Sequence, residues 1–294
     1  MIIAALKGGL GNQLFQYALG RTLSIIHRSP LKFDLRWYED EENRVGLTPR
    51  NFALRHFRIS APAASRAEIE NTRRSEPSRL RRLSRKLSHR PPHWIKEKKY
   101  FVFDPAVFRA GRDSYLDGYW QNERYFAGYG KVIRSDLRVT SPIGEKSSQL
   151  LNEISGSNSV GIHVRRGDYV TGEIKPEAHH VLSGDYFIDA MQRMAVETPG
   201  ARFFVFSDDQ GWARDNISAM PSMTFIDQHG PNEAHEDLRL MSACKHQIIS
   251  NSTFSWWAAW LNDHPSRKVI APARWFVGDA FDVSDLLPQS WERV

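Results

Sequence analysis

The polar residues best suited to chemistry are His163, Arg165, Arg166 and Asp168, which follow an apolar, β-branched run. In α/β sheets ligands bind at the carboxyl ends of strands, and a group this polar is unsuited to a protein core. A guanidinium can grip two phosphate oxygens at once, and each charge-assisted hydrogen bond contributes about 1.5 to 3 kcal/mol. An ion pair between one arginine and Asp168 is the structural alternative. We expect one arginine in each role.

Three further carboxylates have spacings that suit a functional site. Asp208 and Asp209 follow the apolar run 203–206, where they could hold a metal through nucleotide phosphates, cap the next helix, or accept the N–H groups of a guanine edge. Glu173 lies five residues after Asp168, in a loop rich in turn-forming residues. It could act as a general base toward a substrate hydroxyl, although surface loops contain many glutamates without such a role.

A glycine-rich turn near the start of the sequence, Lys7 to Gln13, separates an apolar run from a helical pattern. Glycine lets the backbone approach a ligand closely, and the first turn of a helix offers free N–H groups to an anion or a sugar. As a dinucleotide fingerprint the turn is defective, because Leu14 stands where the third glycine belongs, although Asp34 follows at a suitable distance. A tight strand-to-helix turn without a ligand is the structural alternative.

A second strand-to-helix junction contains three hydroxyl side chains, those of Ser252, Thr253 and Ser255. These side chains and the nearby backbone N–H groups could together bind an anion. Trp256 and Trp260 are four residues apart, so we expect them to pack down one helix face into the core rather than stack on a ligand. The two junctions, the paired arginines and the carboxylates together favour a nucleotide-diphosphate pocket.

Short apolar, β-branched runs alternate with helical patterns, which is typical of α/β units around parallel sheets. The first half predicts strands at 2–6 and 31–35, a helix at 12–27, and an aromatic, then helical, stretch at 117–134. The second half predicts strands at 159–164, 202–206, 223–226, 247–249 and 268–270, and helices at 185–196, 210–220, 233–243 and 253–261. A polar stretch at 140–148 is interpreted as a linker between domains at 1–140 and 150–294, with a cleft between their sheets.

The composition narrows the class of protein. The chain of 294 residues is 41% hydrophobic and 25% charged, which excludes disorder, collagen and coiled coil as descriptions of the whole. A single cysteine, Cys244, rules out an intramolecular disulfide and a tetracysteine zinc site and favours a reducing compartment. No run is long and apolar enough to span a bilayer, and the first residues lack the features of a signal peptide. We therefore expect a cytoplasmic protein.

The net charge of +6 is concentrated in one insertion, residues 71–100, which contains 11 Lys or Arg and 2 Glu and so carries a local balance of +9. Leu80, Leu83 and Leu87 share one helical face among arginines, as in an amphipathic helix that lies on anionic lipid. We therefore expect peripheral contact with the inner face of a membrane. A solvated helix or a flexible loop is the alternative.

The ordered motifs GGLGNQLFQYALGR, HVRRGDYV, FSDD and NSTFSWWAAWL, which span residues 8–261, resemble those of the α-1,2-fucosyltransferases of glycosyltransferase family 11. The resemblance implies a GT-B fold, in which two Rossmann-like α/β domains face each other across a cleft. It also implies an inverting enzyme that uses GDP-β-L-fucose, binds the nucleotide in its C-terminal domain, and needs no metal or other cofactor. The acceptor would be the 2-hydroxyl of a galactose-terminated oligosaccharide, which is often lipid-linked for such enzymes.

The resemblance also implies roles for individual residues. Arg165 would bind the β-phosphate, with His163 and Arg166 as further contacts to the donor. Glu173 would be the catalytic base, because related core α-1,6-fucosyltransferases have a glutamate at this distance from the HVRR motif; Asp168 and a substrate phosphate are rival bases. The remaining implied contacts are guanine at Asp208 or Asp209, the diphosphate at Ser252, Thr253 and Ser255, and the fucose and acceptor side at Gly9, Gly11, Asn12 and Gln13.

Two other functions each fit part of the sequence. A dinucleotide-dependent oxidoreductase would use the glycine-rich turn with Asp34, but it leaves the paired arginines and the Ser/Thr-rich junction unexplained. A binder of nucleic acid or another polyanion would act through residues 71–100 and would show a steep salt dependence. The confinement of the charge to one segment argues against that reading, because a basic binding domain normally carries its charge across a folded face.

Overall fold

The computed structural model describes residues 1–40, 50–74, 93–170, 180–218, 220–230, 232–278 and 281–294. These residues form two compact units. The first unit contains the described residues up to Arg138 together with Asp282–Leu286, and the second contains Val139–Phe281 and Leu287–Val294. Each unit is an α/β structure with a parallel sheet, as the alternating sequence pattern predicts.

Four described strands form the sheet of the first unit: β1 (Ile2–Ala5), β2 (Leu31–Asp34), β3 (Trp94–Lys96) and β4 (Ser114–Asp117). Their order is β2-β1-β4-β3, and every pair is parallel. The described helices of this unit are α1 (Leu10–His27), α2 (Arg36–Glu39), α3 (Arg66–Arg74) and α4 (Gly130–Asp136). Short 3-10 turns occur at Leu54–His56, Pro105–Arg109, Glu123–Tyr125 and Ala127–Tyr129.

Helix α1 packs closely on the first sheet because a glycine faces it. At Gly20 an added Cβ would lie 3.2 Å from the Cβ of Ala4 and 3.0 Å from a methyl group of Leu31, so a larger residue would push these neighbours away. The helix ends at Arg28, which has a left-handed φ of 48° and donates its backbone N–H to Ile25 O. The start of α1 is thereby fixed beside the end of β1, where the glycine-rich turn lies.

Six described strands form the sheet of the second unit: β5 (Asn158–Val164), β6 (Ala201–Ser207), β7 (Met223–Ile226), β8 (His246–Ile248), β9 (Val269–Ala271) and β10 (Glu292–Arg293). Their order is β10-β9-β8-β5-β6-β7, and all the pairs are parallel. The described helices are α5 (Glu145–Ser155), α6 (Gly167–Val170), α7 (Gly184–Glu197), α8 (Gln210–Ile217), α9 (Ala234–Ala243) and α10 (Thr253–Leu261). The inner strands are almost entirely buried, which is typical of a sheet covered on both faces.

The strand order of the second sheet decides which loops meet. Strand β5 lies between β8 and β6, so the residues that follow these three parallel strands share one edge of the sheet. This edge brings together Arg165 after β5, Asp208 after β6 and Ser250 after β8. It is the edge at which parallel α/β sheets bind their ligands.

The sequence pattern located the second unit better than the first. Helix α10 has the predicted bounds, whereas β3 and β4 were not predicted, because strands of three or four residues leave little periodicity. The stretch 140–148, interpreted as a linker, instead runs into α5 at Glu145.

Most of the basic insertion, residues 75–92 with Leu80, Leu83 and Leu87, lies outside the described residues. Within the described part of the chain, no helix is both long and apolar enough to cross a bilayer.

The segment Asp282–Leu286 belongs to the first unit, although the sequence places it in the C-terminal domain. Its anchor is Asp285, whose carboxylate accepts the backbone N–H of Phe103 at 3.2 Å. The side-chain amide of Asn122 donates to the Asp285 carbonyl at 2.9 Å, and Arg124 lies 3.3 Å from the carboxylate. Contacts between residues so far apart in the chain leave no local pattern in the sequence.

Candidate functional site

Arg165 is held at the end of β5 by a carboxylate from the neighbouring strand. Its Nη1 lies 2.6 Å from Asp208 Oδ2, and the Arg165 side chain keeps 19% of its surface exposed. The other oxygen of Asp208 accepts the backbone N–H of Arg166 at 2.8 Å. An added Cβ at Gly167 would lie only 2.7 Å from Asp208 Oδ2, so any other residue here would displace this carboxylate. The guanidinium is thus oriented by the protein before any ligand binds.

Arg166 makes different contacts. Its guanidinium lies over the Trp212 ring, with Cζ 3.9 Å from the ring centroid, and its Nε is 3.6 Å from Asp209 Oδ2. The Asp209 carboxylate accepts the Trp212 backbone N–H at 3.0 Å and so caps α8. The sequence predicts one arginine as a phosphate ligand and the other in an ion pair with Asp168, whereas both arginines lie near carboxylates that follow β6. The side chain of Asp168, the predicted partner, lies outside the described residues.

His163 is buried and neutral beside the arginine. One ring nitrogen, Nδ1, lies 2.8 Å from Ser250 Oγ, and the ring centroid is 5.2 Å from that of Phe254. Burial lowers the pKa of His163 to about 4, with a smaller contribution from the charge of Arg165, while Asp208 opposes the shift. At neutral pH the imidazole is therefore uncharged and adds no positive charge of its own to the site.

The hydroxyl-rich junction lies at the start of α10. Its serine hydroxyls form hydrogen bonds with backbone groups of the junction itself. Ser252 is the N-cap and accepts the Phe254 N–H at 3.3 Å. The fully buried Ser255 donates its hydroxyl to the carbonyls of Ser250 and Ser252, both at 3.2 Å. Of the three predicted diphosphate ligands, Ser252 and Thr253 keep partial exposure at the helix N-terminus, and Ser255 is buried under them.

Asn251, which the sequence analysis did not single out, locks this junction to its surroundings. Its Nδ2 donates to the carbonyls of His180 at 2.7 Å and Trp275 at 2.8 Å. Its own carbonyl accepts the Tyr169 hydroxyl at 3.1 Å, which connects the junction to the turn after β5. The only sequence signal is an asparagine at the end of a strand. The residue therefore becomes recognisable only when the neighbouring loops are seen.

The tryptophans that follow pack in the core, as predicted. Trp256 and Trp257 are fully buried, and the rings of Trp256 and Trp260 stack with an interplanar angle of 9°. Trp291 contacts Trp256 at a centroid separation of 5.5 Å. These side chains hold α10 in place and leave its N-terminus at the edge of the sheet.

A second polar group at the same sheet edge was also missed. His229, after β7, places Nδ1 2.6 Å from Asp237 Oδ1 and Nε2 2.8 Å from Ser147 Oγ. Burial lowers the pKa of His229, but the Asp237 hydrogen bond and charge outweigh it and raise the pKa. This network ties the loop after β7 to helices α5 and α9, so the position of the loop is also fixed in advance.

The glycine-rich turn of the first unit is built by hydrogen bonds rather than by glycine alone. Gly8 has a φ of 79°, a conformation that favours glycine. The buried amide of Gln13 donates to the carbonyls of Gly8 at 3.1 Å and Asn51 at 2.9 Å, and accepts the Ala53 N–H at 2.9 Å. Gln13 therefore positions the turn. Its predicted contact with fucose or acceptor, like those of Gly9, Gly11 and Asn12, stays a prediction.

Asp34 is not placed for dinucleotide binding. It is buried, and Arg36 contacts both of its carboxylate oxygens at 2.6 to 3.1 Å. The Tyr115 hydroxyl donates to it at 2.7 Å. These donors lower the pKa of Asp34 despite its burial. Because Arg36 and Tyr115 already occupy the carboxylate, Asp34 does not offer a ribose contact. The oxidoreductase hypothesis therefore loses one of the two features on which it is based.

The predicted catalytic base, Glu173, lies outside the described residues, as does the side chain of its rival Asp168. Asp208 and Asp209, the two predicted guanine ligands, are described, and both take part in the contacts above. The structure thus brings together the predicted phosphate ligand Arg165, the neutral His163 and the N-terminus of α10 along one edge. A cation at the same sheet edge as a helix N-terminus suits an anionic ligand.

The chain is similar in sequence to known glycosyltransferases. The family model described as glycosyl transferase family 11 matches residues 89–281. An Escherichia coli protein named alpha-1,2-colitosyltransferase is 31% identical over 100% of this chain and 99% of its own length. Galactoside alpha-(1,2)-fucosyltransferase 1 of Aotus azarae is 27% identical over 57% of this chain and 46% of its own length.

Two solved structures share the fold at low sequence identity. A NodZ alpha-1,6-fucosyltransferase of Bradyrhizobium, soaked with GDP-fucose, has a TM-score of 0.52 and 16% identity, covering 88% of this chain and 91% of that chain. An Arabidopsis thaliana fucosyltransferase in complex with GDP has a TM-score of 0.54 and 13% identity, covering 92% and 70%. At such identities the likeness concerns the fold, which is that of GT-B fucosyltransferases.

Proposed function

Since this chain belongs to glycosyltransferase family 11, we propose that it is an inverting fucosyltransferase that moves L-fucose from GDP-β-L-fucose to the 2-hydroxyl of a galactoside. The observation that carries the proposal is Arg165, an oriented and partly exposed cation at the carboxyl end of β5, on the same sheet edge as the N-terminus of α10. A leaving diphosphate needs such groups. The names of the relatives support transfer of a deoxy sugar to a 2-hydroxyl.

The reaction is a single displacement. A base removes the proton of the acceptor hydroxyl, whose oxygen attacks the anomeric carbon on the face opposite GDP, so the β linkage becomes α. The bond to the β-phosphate oxygen breaks, and negative charge grows on GDP. Arg165 and the first N–H groups of α10 oppose this charge, and because Asp208 already holds the guanidinium, little reorganisation is needed in the transition state.

We assign the base to Glu173, following the motif spacing, with Asp168 or a donor phosphate as rivals. Glu173→Gln is expected to lower the pH-dependent rate of transfer much more than it weakens GDP binding, because the amide cannot accept a proton. Equal losses in rate and in GDP affinity would instead show that Glu173 binds the donor.

We propose that the reaction needs no metal ion, since a guanidinium and helix N–H groups can neutralise the departing diphosphate. Transfer in the presence of excess EDTA is therefore expected to match transfer in untreated buffer. A loss of rate with EDTA that Mg²⁺ or Mn²⁺ restores would contradict this part of the proposal.

The identity of the donor sugar requires a direct comparison, because the similar E. coli protein is named a colitosyltransferase. The test incubates the purified chain with GDP-fucose or GDP-colitose and a panel of β-galactosides, followed by linkage analysis of the product. We expect an α-1,2-fucosylated galactoside. Preferential use of GDP-colitose would change the assigned donor but keep the linkage, whereas no transfer to any galactoside would overturn the proposal.

We also propose that the basic insertion, residues 71–100, brings the enzyme to anionic lipid, where a lipid-linked acceptor would be presented. The support is its local charge of +9 together with the leucines on one predicted helical face. Sedimentation with liposomes tests this. Binding to vesicles with anionic lipid but not to neutral vesicles is expected, and equal binding to both, or to neither, would contradict it.

A further inference from the structure

We propose that Lys7, Asp117 and Tyr119 form the subsite that binds hydroxyl groups of the acceptor sugar, with Glu97 as a positioning residue. This inference rests on the proposed function and names the residues of the first unit that would determine acceptor specificity. The three side chains come from the ends of β1 and β4, which are neighbouring strands of the first sheet.

Lys7 contacts both of the other side chains. Lys7 Nζ lies 3.3 Å from Asp117 Oδ1 and 4.9 Å from the centroid of the Tyr119 ring. The side chains of Lys7 and Asp117 keep 25% and 31% of their surface exposed, so each can reach a ligand. The ring of Tyr100, which is 47% exposed, is 5.8 Å from that of Tyr119 and extends the aromatic surface.

This combination suits a sugar. An ammonium group supplies hydrogen-bond donors and a carboxylate supplies acceptors, so an adjacent pair can bind vicinal hydroxyl groups, each of which both donates and accepts. Hydrogen bonds to charged groups are among the stronger ones. An aromatic ring provides an apolar surface with a polar hydroxyl, which matches the mixed character of a pyranose ring. A phosphate would suit this place poorly, because Asp117 is negative.

The backbone that carries Tyr119 is clamped by Glu97. The carboxylate of Glu97 accepts the N–H of Tyr119 at 2.6 Å and that of Trp120 at 3.1 Å. Trp120 is buried in a left-handed conformation with φ of 58°, which is rare for a residue with a large side chain. An added Cβ at Gly118 would lie 2.4 Å from Glu97 Cβ, so a side chain at this position would clash with Glu97.

The backbone of Lys7 is clamped as well. Gln16 of α1 accepts the Lys7 N–H at 3.0 Å and donates to the Lys7 carbonyl at 3.3 Å. A partly exposed ion pair contributes only about 0 to 1 kcal/mol to stability. The buried Gln16 and the half-buried Glu97 fix the loops on both sides of such a pair, which is therefore better explained by a need to hold its geometry. Strained backbone held by its surroundings is also typical of functional sites.

The experiment compares Asp117→Asn with Glu68→Gln in the full chain. Glu68 pairs with Lys32 in the same unit, and the exposed fractions of 26% for Lys32 and 33% for Glu68 match those of the Lys7–Asp117 pair. The measurements are the KM for lactose at saturating GDP-fucose, the rate of GDP-fucose hydrolysis without acceptor, the Kd for GDP, and lactose binding by saturation-transfer NMR. Lys7→Met is the second variant, in case Asp117→Asn does not fold.

We expect Asp117→Asn and Lys7→Met to raise the KM for lactose by about tenfold or more and to weaken the NMR signal, because each loses hydrogen bonds to a charged group. GDP-fucose hydrolysis and the Kd for GDP should stay within about twofold of wild type, as in Glu68→Gln. A KM that follows the control, or a parallel loss of GDP affinity, would overturn the inference. Failure of the proposed function would appear separately, as a wild-type chain without transfer, and NMR would then still decide whether these residues bind the sugar.

Discussion

Asp208 is the residue on which the candidate site depends most, since its two oxygens hold the Arg165 guanidinium and the Arg166 backbone N–H. These contacts orient the cation that would meet the diphosphate, and the guanine contact that the resemblance implies for Asp208 or Asp209 stays a prediction. Side chains fixed in this way can stabilise the charge that develops in the transition state, because no free energy is needed to order them during the reaction.

Arg165→Ala is expected to lower kcat/KM by about two to three orders of magnitude, which corresponds to about 2.7 to 4 kcal/mol for one preorganised donor to a developing charge. The fold should persist, because Arg165 is partly exposed and Asp208 keeps its bond to the Arg166 N–H. The matched control is Arg202→Ala, which removes an ion pair with Glu153 in the same unit. Near-normal turnover of Arg165→Ala would contradict the assignment.

His163 makes stability depend on pH in a defined direction. Its pKa is lowered to about 4 in the folded chain, so between pH 6.5 and 4 the unfolded chain binds a proton that the folded chain does not. The free energy of unfolding should therefore fall as the pH is lowered through this window, by about 3 kcal/mol from this group. Urea denaturation of wild type and His163→Asn at several pH values measures it. Equal pH slopes for the two proteins would contradict the prediction.

At the scale of elements, the order of the strands decides which loops lie next to one another. The junction before α10 and the turn after β5 meet because β8 pairs with β5, and the predicted carboxylates join them because β6 pairs with β5 on its other side. Single side chains such as Asn251 and Gln13 tie their own loops to other parts of the chain. The helices that begin at these loops depend on their caps.

Helix α8 offers a test that separates capping from ligand binding. Asp209→Ala is expected to lower the free energy of unfolding by about 1 kcal/mol, whereas Asp209→Ser should keep the cap and the stability of wild type. Chemical denaturation measures both. A GDP titration of the same variants tests the predicted guanine contact: weaker binding by both would support it, and unchanged binding by both would contradict it.

At the scale of the whole molecule, the two α/β units contain different groups of residues that the proposed reaction requires. The oriented cation and the helix N-terminus belong to the second unit, while the glycine-rich turn and the Lys7–Asp117 pair belong to the first. The engaged carboxylate of Asp34 leaves the first unit without a dinucleotide contact at that position. We expect the nucleotide to bind in the second unit, where the oriented cation lies.

GDP at 100 times its Kd is expected to stabilise the chain by about 2.7 kcal/mol in a thermal shift assay, whereas NAD and a mixed oligonucleotide should leave it unchanged. Amide hydrogen exchange should show the location, with protection on GDP binding at the ends of β5 and β8 and at the start of α10. Stabilisation by NAD with protection in the glycine-rich turn would favour the oxidoreductase instead.

The sequence by itself determined the α/β class, most elements of the second unit and the family, because periodicity and short motifs record local burial and turn chemistry. Tertiary structure decided which polar groups meet. The pairs Arg165–Asp208 and Glu97–Tyr119 join distant parts of the chain, and only strand order brings them within hydrogen-bond distance. A carboxylate that orients a cation and one that binds a ligand look alike in a sequence. Their roles differ only in which group lies next to the carboxylate in the folded chain.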